Sequence, residues 1–317
     1  MDIVCSTDDN YIKYCCVMLT SLLENNKAEN ITVHVLGDNL EKKHKEVLRD
    51  IVETRYRQRI FFYIIDNKLV KGFLNSAHSY LSLVAYYRLF ITSVLPATVH
   101  KVLYLDCDLI VTHSIKDLWN VDIVGRPLAA VKDAHKGMKE HCALLEVDCV
   151  RYGYFNTGVV LFNLDYLREY GLEHRAIRFI DEKRQYITFH DQDVLNGLFH
   201  KQALFLPYRY NLHDRLYRRK RYVDAETLPV VREELKHPVI IHFSSGKKPW
   251  KSRCLHPCRY LYFHYLDMTV WQGERPDMPL KDRLWRWNRL LASFLHLANG
   301  YSCLLYTSPS PRDKRQS

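Results

Sequence analysis

An α/β fold whose sheet begins parallel and doubly wound is predicted by three observations. Short β-rich runs alternate with stretches of helical spacing over the first hundred residues, one run is apolar almost throughout, and 317 residues are enough chain for a full hydrophobic core.

Ile3-Val4-Cys5-Ser6 reads as the first strand. Thr7-Asp8-Asp9-Asn10 then leads into apolar positions at Ile12, Cys15, Cys16, Met18, Leu19, Leu22 and Leu23, the spacing of a helix that buries one face. Ile31 to Leu36 is a second strand ended by Gly37-Asp38, Lys42 to Val52 a charged amphipathic helix, and Ile60 to Ile65 a third strand. Helical spacing from Leu83 to Val94 precedes Val102-Leu103-Tyr104-Leu105, which lacks alternation and so suits a central strand covered on both faces. Beyond Asp106-Cys107-Asp108 the alternation loosens and the sheet is expected to become mixed. Strands are expected at Leu128 to Val131, Val159 to Phe162, Leu204 to Leu206 and Val239 to His242, with helices over Leu164 to Asp181 and Val194 to His200. No repeat or Ser/Pro/Gly-rich linker falls before residue 265, so residues 1–265 are expected to form one domain and 266–302 a helical extension.

Composition narrows the class. Hydrophobic residues at 47%, charged residues at 26%, 11 Gly and 11 Pro exclude a disordered or collagen-like chain. Apolar runs such as Val239 to Phe243 and Leu290 to Leu295 fall well short of the roughly 18 residues that cross a bilayer. Met1-Asp2-Ile3-Val4-Cys5 carries no basic segment ahead of an apolar one, so a cytoplasmic location is expected. Nine cysteines are an odd number for a disulfide framework, and Cys15 and Cys16 are adjacent, which favours reduced thiols. Cys254-x-His256-x-Cys258 lacks the second ligand pair of a structural zinc site.

A formal net charge of +10 calls for an anionic partner. No basic module or base-stacking platform accompanies it, so nucleic acid is not that partner. Arg215 to Arg221 holds five basic residues and reads as a solvated edge, with a negatively charged acceptor as the alternative. Residues 303–317, opening with Cys303-Leu304-Leu305-Tyr306-Thr307-Ser308, resemble the conceptual translation of a sequencing-library adaptor and are expected not to be native. Their removal leaves the chain basic, at about +8.

Five clusters could carry chemistry. Asp106 and Asp108 follow the buried strand Val102 to Leu105 directly, at the strand end where α/β sheets hold ligands, and two acids one residue apart can share a divalent cation. Asp8-Asp9-Asn10 ends the first strand in the same way, although Asp8 or Asn10 could equally cap the following helix. Tyr154-Phe155-Asn156-Thr157-Gly158 precedes the strand Val159 to Phe162, and His190-Asp191-Gln192-Asp193 opens a helix. His242-Phe243-Ser244-Ser245-Gly246-Lys247-Lys248-Pro249-Trp250 ends the last strand with an imidazole for a metal and a lysine for a diphosphate.

In order and approximate spacing, these clusters and Tyr87-Arg88-Leu89 resemble the retaining glycosyltransferases of family 8 over residues 1 to about 265, above all the bacterial lipopolysaccharide galactosyl- and glucosyltransferases. The resemblance implies a GT-A fold, Mn²⁺ (with Mg²⁺ as the alternative ion) and UDP-glucose or UDP-galactose as donor. Asp106, Asp108 and His242 match its metal ligands. Asp8 and Asn10 match residues near uracil and ribose, with Thr7 among the donor-binding positions, and Arg88, Asn156 and Asp191 match contacts to the donor sugar. Cys107, Ser245 and Gly246 fall among the donor-binding positions, and Lys248 matches the lysine on the diphosphate. Gln192 matches the residue beside the reacting anomeric carbon, and Asp193 is the neighbouring carboxylate discussed as a nucleophile. One departure is visible: Ser245 stands where the family commonly has glycine.

The expected activity is transfer of glucose or galactose, with retention, to a lipopolysaccharide or other lipid-linked oligosaccharide. A soluble acceptor and a non-catalytic nucleotide-sugar-binding role are the alternatives. In the C-terminal segment, Leu284, Trp287, Leu291, Phe294 and Ala298 recur at helical spacing beside Arg283, Arg286 and Arg289. That pattern suits a helix in an anionic membrane interface, and hence a peripheral position on the inner face of a bacterial plasma membrane.

Overall fold

The computed structural model describes residues 1–66, 83–134, 138–218, 223–295, 297, 300 and 301. The adaptor-like tail at 303–317, Ala298, and Arg219 to Arg221 of the basic run lie outside them.

The chain opens with strand β1 (Asp2–Ser6), helix α1 (Ile12–Glu24), β2 (Thr32–Gly37), helix α2 (Lys42–Arg49) and β3 (Arg59–Ile64). β4 (Lys101–Leu105), β6 (Leu128–Lys132), β7 (Phe155–Asn163) and β8 (Leu204–Leu206) complete a seven-stranded sheet in the order β3-β2-β1-β4-β7-β6-β8. β7 runs against both of its neighbours, so the sheet is mixed while its β3-β2-β1-β4 portion is parallel. A second sheet holds β5 (Leu109–Val111), β9 (Leu212–His213) and β10 (Ile240–His242) in the order β5-β10-β9.

The strand patterns follow from burial on both sides. In β4, Leu103 and Leu105 face the core that contains α1, while Val102 and Tyr104 face the core built from Phe90, Leu164, Leu195 and Phe199. Each fully buried aliphatic or aromatic side chain stabilises by roughly 1.5–3 kcal/mol, which is why a continuous apolar run survives at the centre of the sheet. The chain leaves β1 toward β2 on one side and returns to β4 on the other. The carboxyl ends of β1 and β4 therefore diverge at a switch point, and Asp8, Asp106 and Asp108 follow those two ends.

Three expectations are corrected. The helix expected over Leu164 to Asp181 is two: α3 (Leu164–Tyr170) and α4 (Leu172–Lys183), parted by Gly171 in the left-handed conformation at φ 71°. The helix expected from Val194 starts earlier, as α5 (Asp191–Phe199), so Asp191, Gln192 and Asp193 form its first turn. The segment Phe155 to Gly158 does not precede a strand but belongs to β7. It can be strand despite its polar residues because the Asn196 amide brackets Phe155, accepting from its N–H at 2.8 Å and donating to its carbonyl at 2.9 Å.

Past the sheets lie α6 (Arg259–Leu266) and α7 (Leu280–Phe294). Arg286 donates to the Ser252 and Cys254 carbonyls, and Asp282 accepts from Arg253 at 2.8 Å and from Ser252, fixing α7 to the loop after β10.

Candidate active site

A cavity of about 680 Å³ opens over the switch point. Its lining includes Asp8, Tyr11, Arg88, Asp106, Cys107, Asp108, Asn156, Asp191, Gln192, His242 and Ser245. The second sheet supplies its metal-ligand candidate from a distance in sequence: antiparallel pairing sets His242 opposite Leu109, one residue beyond Asp108. Ligand atoms of Asp106, Asp108 and His242 consequently lie within 4.8 Å of one another. His242 Nε2 is 3.2 Å from Asp108 Oδ1 and 3.8 Å from Asp106 Oδ2.

The surroundings of this cluster fit a divalent cation. His242 Nδ1 pairs with Asn211 Oδ1 at 3.0 Å, which places the ring proton there and turns the Nε2 lone pair toward the carboxylates. Gly158 keeps the space open: a Cβ there would lie 2.2 Å from His242 Cε1 and 2.9 Å from Asp106 Oδ2. Two carboxylates and one imidazole are a donor set for a Mn²⁺-type ion. Burial works to raise the Asp108 carboxyl, but Lys248 and His242 outweigh it and hold that group well below the usual carboxylate range. Lys248 Nζ donates to Asp108 Oδ2 and, at 2.7 Å, to the Phe243 carbonyl.

Arg88 ties the metal side of the cavity to its other wall. Its buried guanidinium donates to Asp106 Oδ1 at 2.7 Å and to the Thr157 carbonyl, lies 3.1 Å from Asp191 Oδ2, and stacks 4.1 Å from the Tyr104 ring centroid. Thr157 Oγ1 also donates to Asp191 Oδ2 at 2.8 Å. Burial nonetheless pushes the Asp191 carboxyl up to about 6, with Arg88 pulling the other way.

A directed chain of amides joins the cluster to Gln192. Asn211 Nδ2 donates to Asn156 Oδ1 at 2.8 Å, Asn156 Nδ2 to Gln192 Oε1 at 3.0 Å, and Gln192 Nε2 to Asp133 Oδ2 at 3.0 Å. Every bond points the same way, ending on a carboxylate, so each amide reinforces the next.

The other residues singled out from sequence fall differently. Asp8 Oδ1 accepts from the Asn10 and Tyr11 amides, each at 3.0 Å, closing the turn ahead of α1 while bordering the cavity; the helix itself, with Tyr11 at its N-cap, has no side-chain cap. Thr7 is fully buried and Asn10 exposed, and neither lines the cavity. Cys107 borders it and donates to the Ser6 carbonyl at 3.2 Å. Ser245 is at the wall, whereas Gly246 and Lys248 are not among the lining residues. Asp193 has no exposed surface: its carboxylate accepts from the Tyr154 hydroxyl at 2.6 Å, His141 Nε2 at 2.8 Å and the Thr188 and Phe189 amides at 2.7 and 2.8 Å. Sequence reasoning missed Asn211 and Asp133. Asn211 lies between two short elements with no periodicity to mark it, and Asp133 follows a strand end, a position that could have drawn attention.

A mixed α/β sheet with a carboxylate–imidazole cluster at its switch point matches the GT-A fold of glycosyltransferases. The profile of Glycosyl transferase family 8 matches residues 2–254, and the chain belongs to that family. Among its relatives, General stress protein A of Bacillus subtilis is 30% identical over 286 residues, covering 86% of this chain and 94% of that protein. Lipopolysaccharide 1,2-glucosyltransferase of Escherichia coli K12 is 25% identical over 277 residues, covering 87% of this chain and 80% of the enzyme. The crystal structure of the galactosyltransferase LgtC in complex with donor and acceptor sugar analogs shares the fold at a TM-score of 0.73 and 24% identity, covering 89% of this chain and 99% of LgtC. The protein is therefore a glycosyltransferase, and its family implies a nucleotide-sugar donor and a divalent metal.

Proposed function

We propose that this enzyme is a retaining hexosyltransferase that moves glucose or galactose from UDP-glucose or UDP-galactose to a lipopolysaccharide or other lipid-linked oligosaccharide, with Mn²⁺ (or Mg²⁺) held by Asp106, Asp108 and His242. The observation that carries the reading is the convergence of those three residues with Arg88, Asp191 and Gln192 around one cavity. Kinship with lipopolysaccharide glucosyl- and galactosyltransferases supports the choice of sugar and acceptor.

A divalent cation at this cluster would neutralise charge on a departing UDP. The chain's own residues do the rest. Lys248 is poised beside Asp108 to pair with a phosphate oxygen. Asp8, at the cavity border, serves the nucleoside end. Arg88 fixes Asp106 and Asp191, so that the metal ligand and the sugar-binding carboxylate keep one spacing. Asn156 holds Gln192 at the reacting carbon, while Cys107 and Ser245 complete the donor wall. With Asp193 enclosed by four donors, a route in which the incoming hydroxyl attacks from the face the phosphate leaves fits retention better than a covalent glycosyl-enzyme.

The test is UDP release by the purified chain with UDP-glucose or UDP-galactose, in Mn²⁺ or in chelator. Metal-dependent turnover of one donor is the expected result. Binding of neither donor, with or without Mn²⁺, would remove the reading.

Residues 1–265 carry this activity in our reading, and 266–302 add the contact with an anionic membrane surface on its cytoplasmic side. No helix among the described residues is long and apolar enough to cross a membrane. α7, however, leaves Trp287 and Phe294 about three-quarters exposed, at 74% and 75%, with Leu284 and Leu291 beside them. Trp287→Ser combined with Phe294→Ser is expected to weaken sedimentation with phosphatidylglycerol vesicles about tenfold or more. Equal sedimentation of both proteins would remove the membrane contact.

A further inference from the structure

Two arginines border the cavity and have no part in the steps above: Arg215 and Arg218, in and just after the turn Asp214–Tyr217 that follows β9. Arg218 is fully engaged. It reaches Asp214 Oδ2 at 3.0 Å and the Tyr301 hydroxyl at 2.8 Å, with its guanidinium 3.9 Å from the Tyr301 ring centroid.

Arg215 is different. Its side chain is 35% exposed, and its ion-pair neighbour among the described residues is Asp133, with Nη1 3.6 Å from Oδ1, beyond hydrogen-bond distance. Asp133 Oδ1 is itself buried and has no hydrogen-bond partner among the described residues, whereas Oδ2 takes the Gln192 amide at 3.0 Å. Beside Gln192, therefore, stand a carboxylate oxygen that lacks a hydrogen-bond partner and a guanidinium with donors to spare. The donor phosphates are already provided for at the Asp106, Asp108, His242 and Lys248 side, and Arg88 is consumed by Asp106 and Asp191. A guanidinium fork matches phosphate geometry with two parallel hydrogen bonds.

We infer that Arg215 is the anion-recognising residue of the acceptor subsite, and that the acceptor carries a phosphate close to the hydroxyl that receives the sugar. The inference rests on reading this cavity as the transferase site. The chemistry is that of a phosphate ester, whether on a soluble sugar or in a lipid headgroup, and the basic character of the sequence after Arg215 accords with it.

The test uses the chain saturated with UDP and Mn²⁺, so that the donor phosphate positions are filled, and titrates glucose 6-phosphate and glucose calorimetrically. A parallel arm measures binding to phosphatidylglycerol and phosphatidylcholine vesicles. Arg215→Gln and Arg215→Lys are compared with the unaltered chain, their folding checked by thermal melting. A preference of about tenfold or more for the phosphate-bearing probe is expected, lost in Arg215→Gln and partly kept in Arg215→Lys. If the Arg215-dependent preference shows in the soluble arm, the phosphate belongs to a sugar; if in the vesicle arm, to a lipid. If neither arm depends on Arg215, the inference is overturned. Absence of UDP release from either donor, with the Arg215 effect intact, would instead remove the assignment of these two donors and leave the anion subsite standing.

Discussion

Replacing Gly158 by alanine is expected to lower Mn²⁺ affinity and metal-dependent turnover by at least about 100-fold while the chain stays folded. The added Cβ would lie 2.2 Å from His242 Cε1, 2.6 Å from Nδ1 and 2.9 Å from Asp106 Oδ2. Both ligands are tethered where they stand. Asn211 holds the imidazole at Nδ1, Arg88 holds the Asp106 carboxylate, and β7 is paired on both sides. The damage thus falls on the ligand cluster. Overpacking of this kind costs about 1–3 kcal/mol, against roughly 5–15 kcal/mol for a whole domain, so the fold should persist. Mn²⁺ titration monitored by electron paramagnetic resonance, together with a thermal melt, checks both halves. Unchanged affinity in a folded variant would mean that Gly158 does not guard the metal site. Asn211→Ala, which removes only the anchor at Nδ1, should be milder, at about 10- to 100-fold.

Asp193→Ala is expected to destabilise the protein by about 3–5 kcal/mol, because the Tyr154 hydroxyl, His141 Nε2 and two backbone amides lose their common acceptor in the interior. Turnover should fall about 100-fold as well. The amides belong to Thr188 and Phe189, and the next residue, His190, sits at φ 51° immediately before Asp191 and Gln192. Releasing this turn moves both, and a displacement near 1 Å at a reacting centre costs on that order. Exogenous azide separates positioning from nucleophilic catalysis. A chain that had lost its nucleophile would regain turnover and form a glycosyl azide. We expect neither, and recovery of that product would identify Asp193 as the nucleophile instead.

The readable parts of the fold were those where one physical signal dominates. Ile3 to Cys5 and Val102 to Leu105 are apolar because both of their faces are buried, and α1 shows its apolar stripe because one face packs on the sheet. The second sheet was harder to read. Its strands are two or three residues long, too short for a period to show, and only the Val239 to His242 run stood out. Phe155 to Gly158 was placed ahead of the strand and not in it, because the partners that satisfy its polar groups, such as Asp191 and Asn196, are remote in sequence.

The site divides along the same line. Asp106, Asp108 and His242 were legible, since carboxylates at a strand end and a histidine closing a buried strand are local features, whereas Arg88, Asp191 and Gln192 were legible only through the family resemblance. Asn211 and Asp133 were not, because each acquires its part from a neighbour brought in by folding. The sequence by itself determined the parallel opening of the sheet, the metal-binding residue types and the family likeness, all of which depend on spacing along the chain. Only the tertiary structure decided that Asp193 is enclosed while Asp191 faces the cavity, that Gly158 must lack a side chain, and that Arg215 stands beside Asp133. These follow from distances between residues tens of positions apart, which chain spacing does not encode.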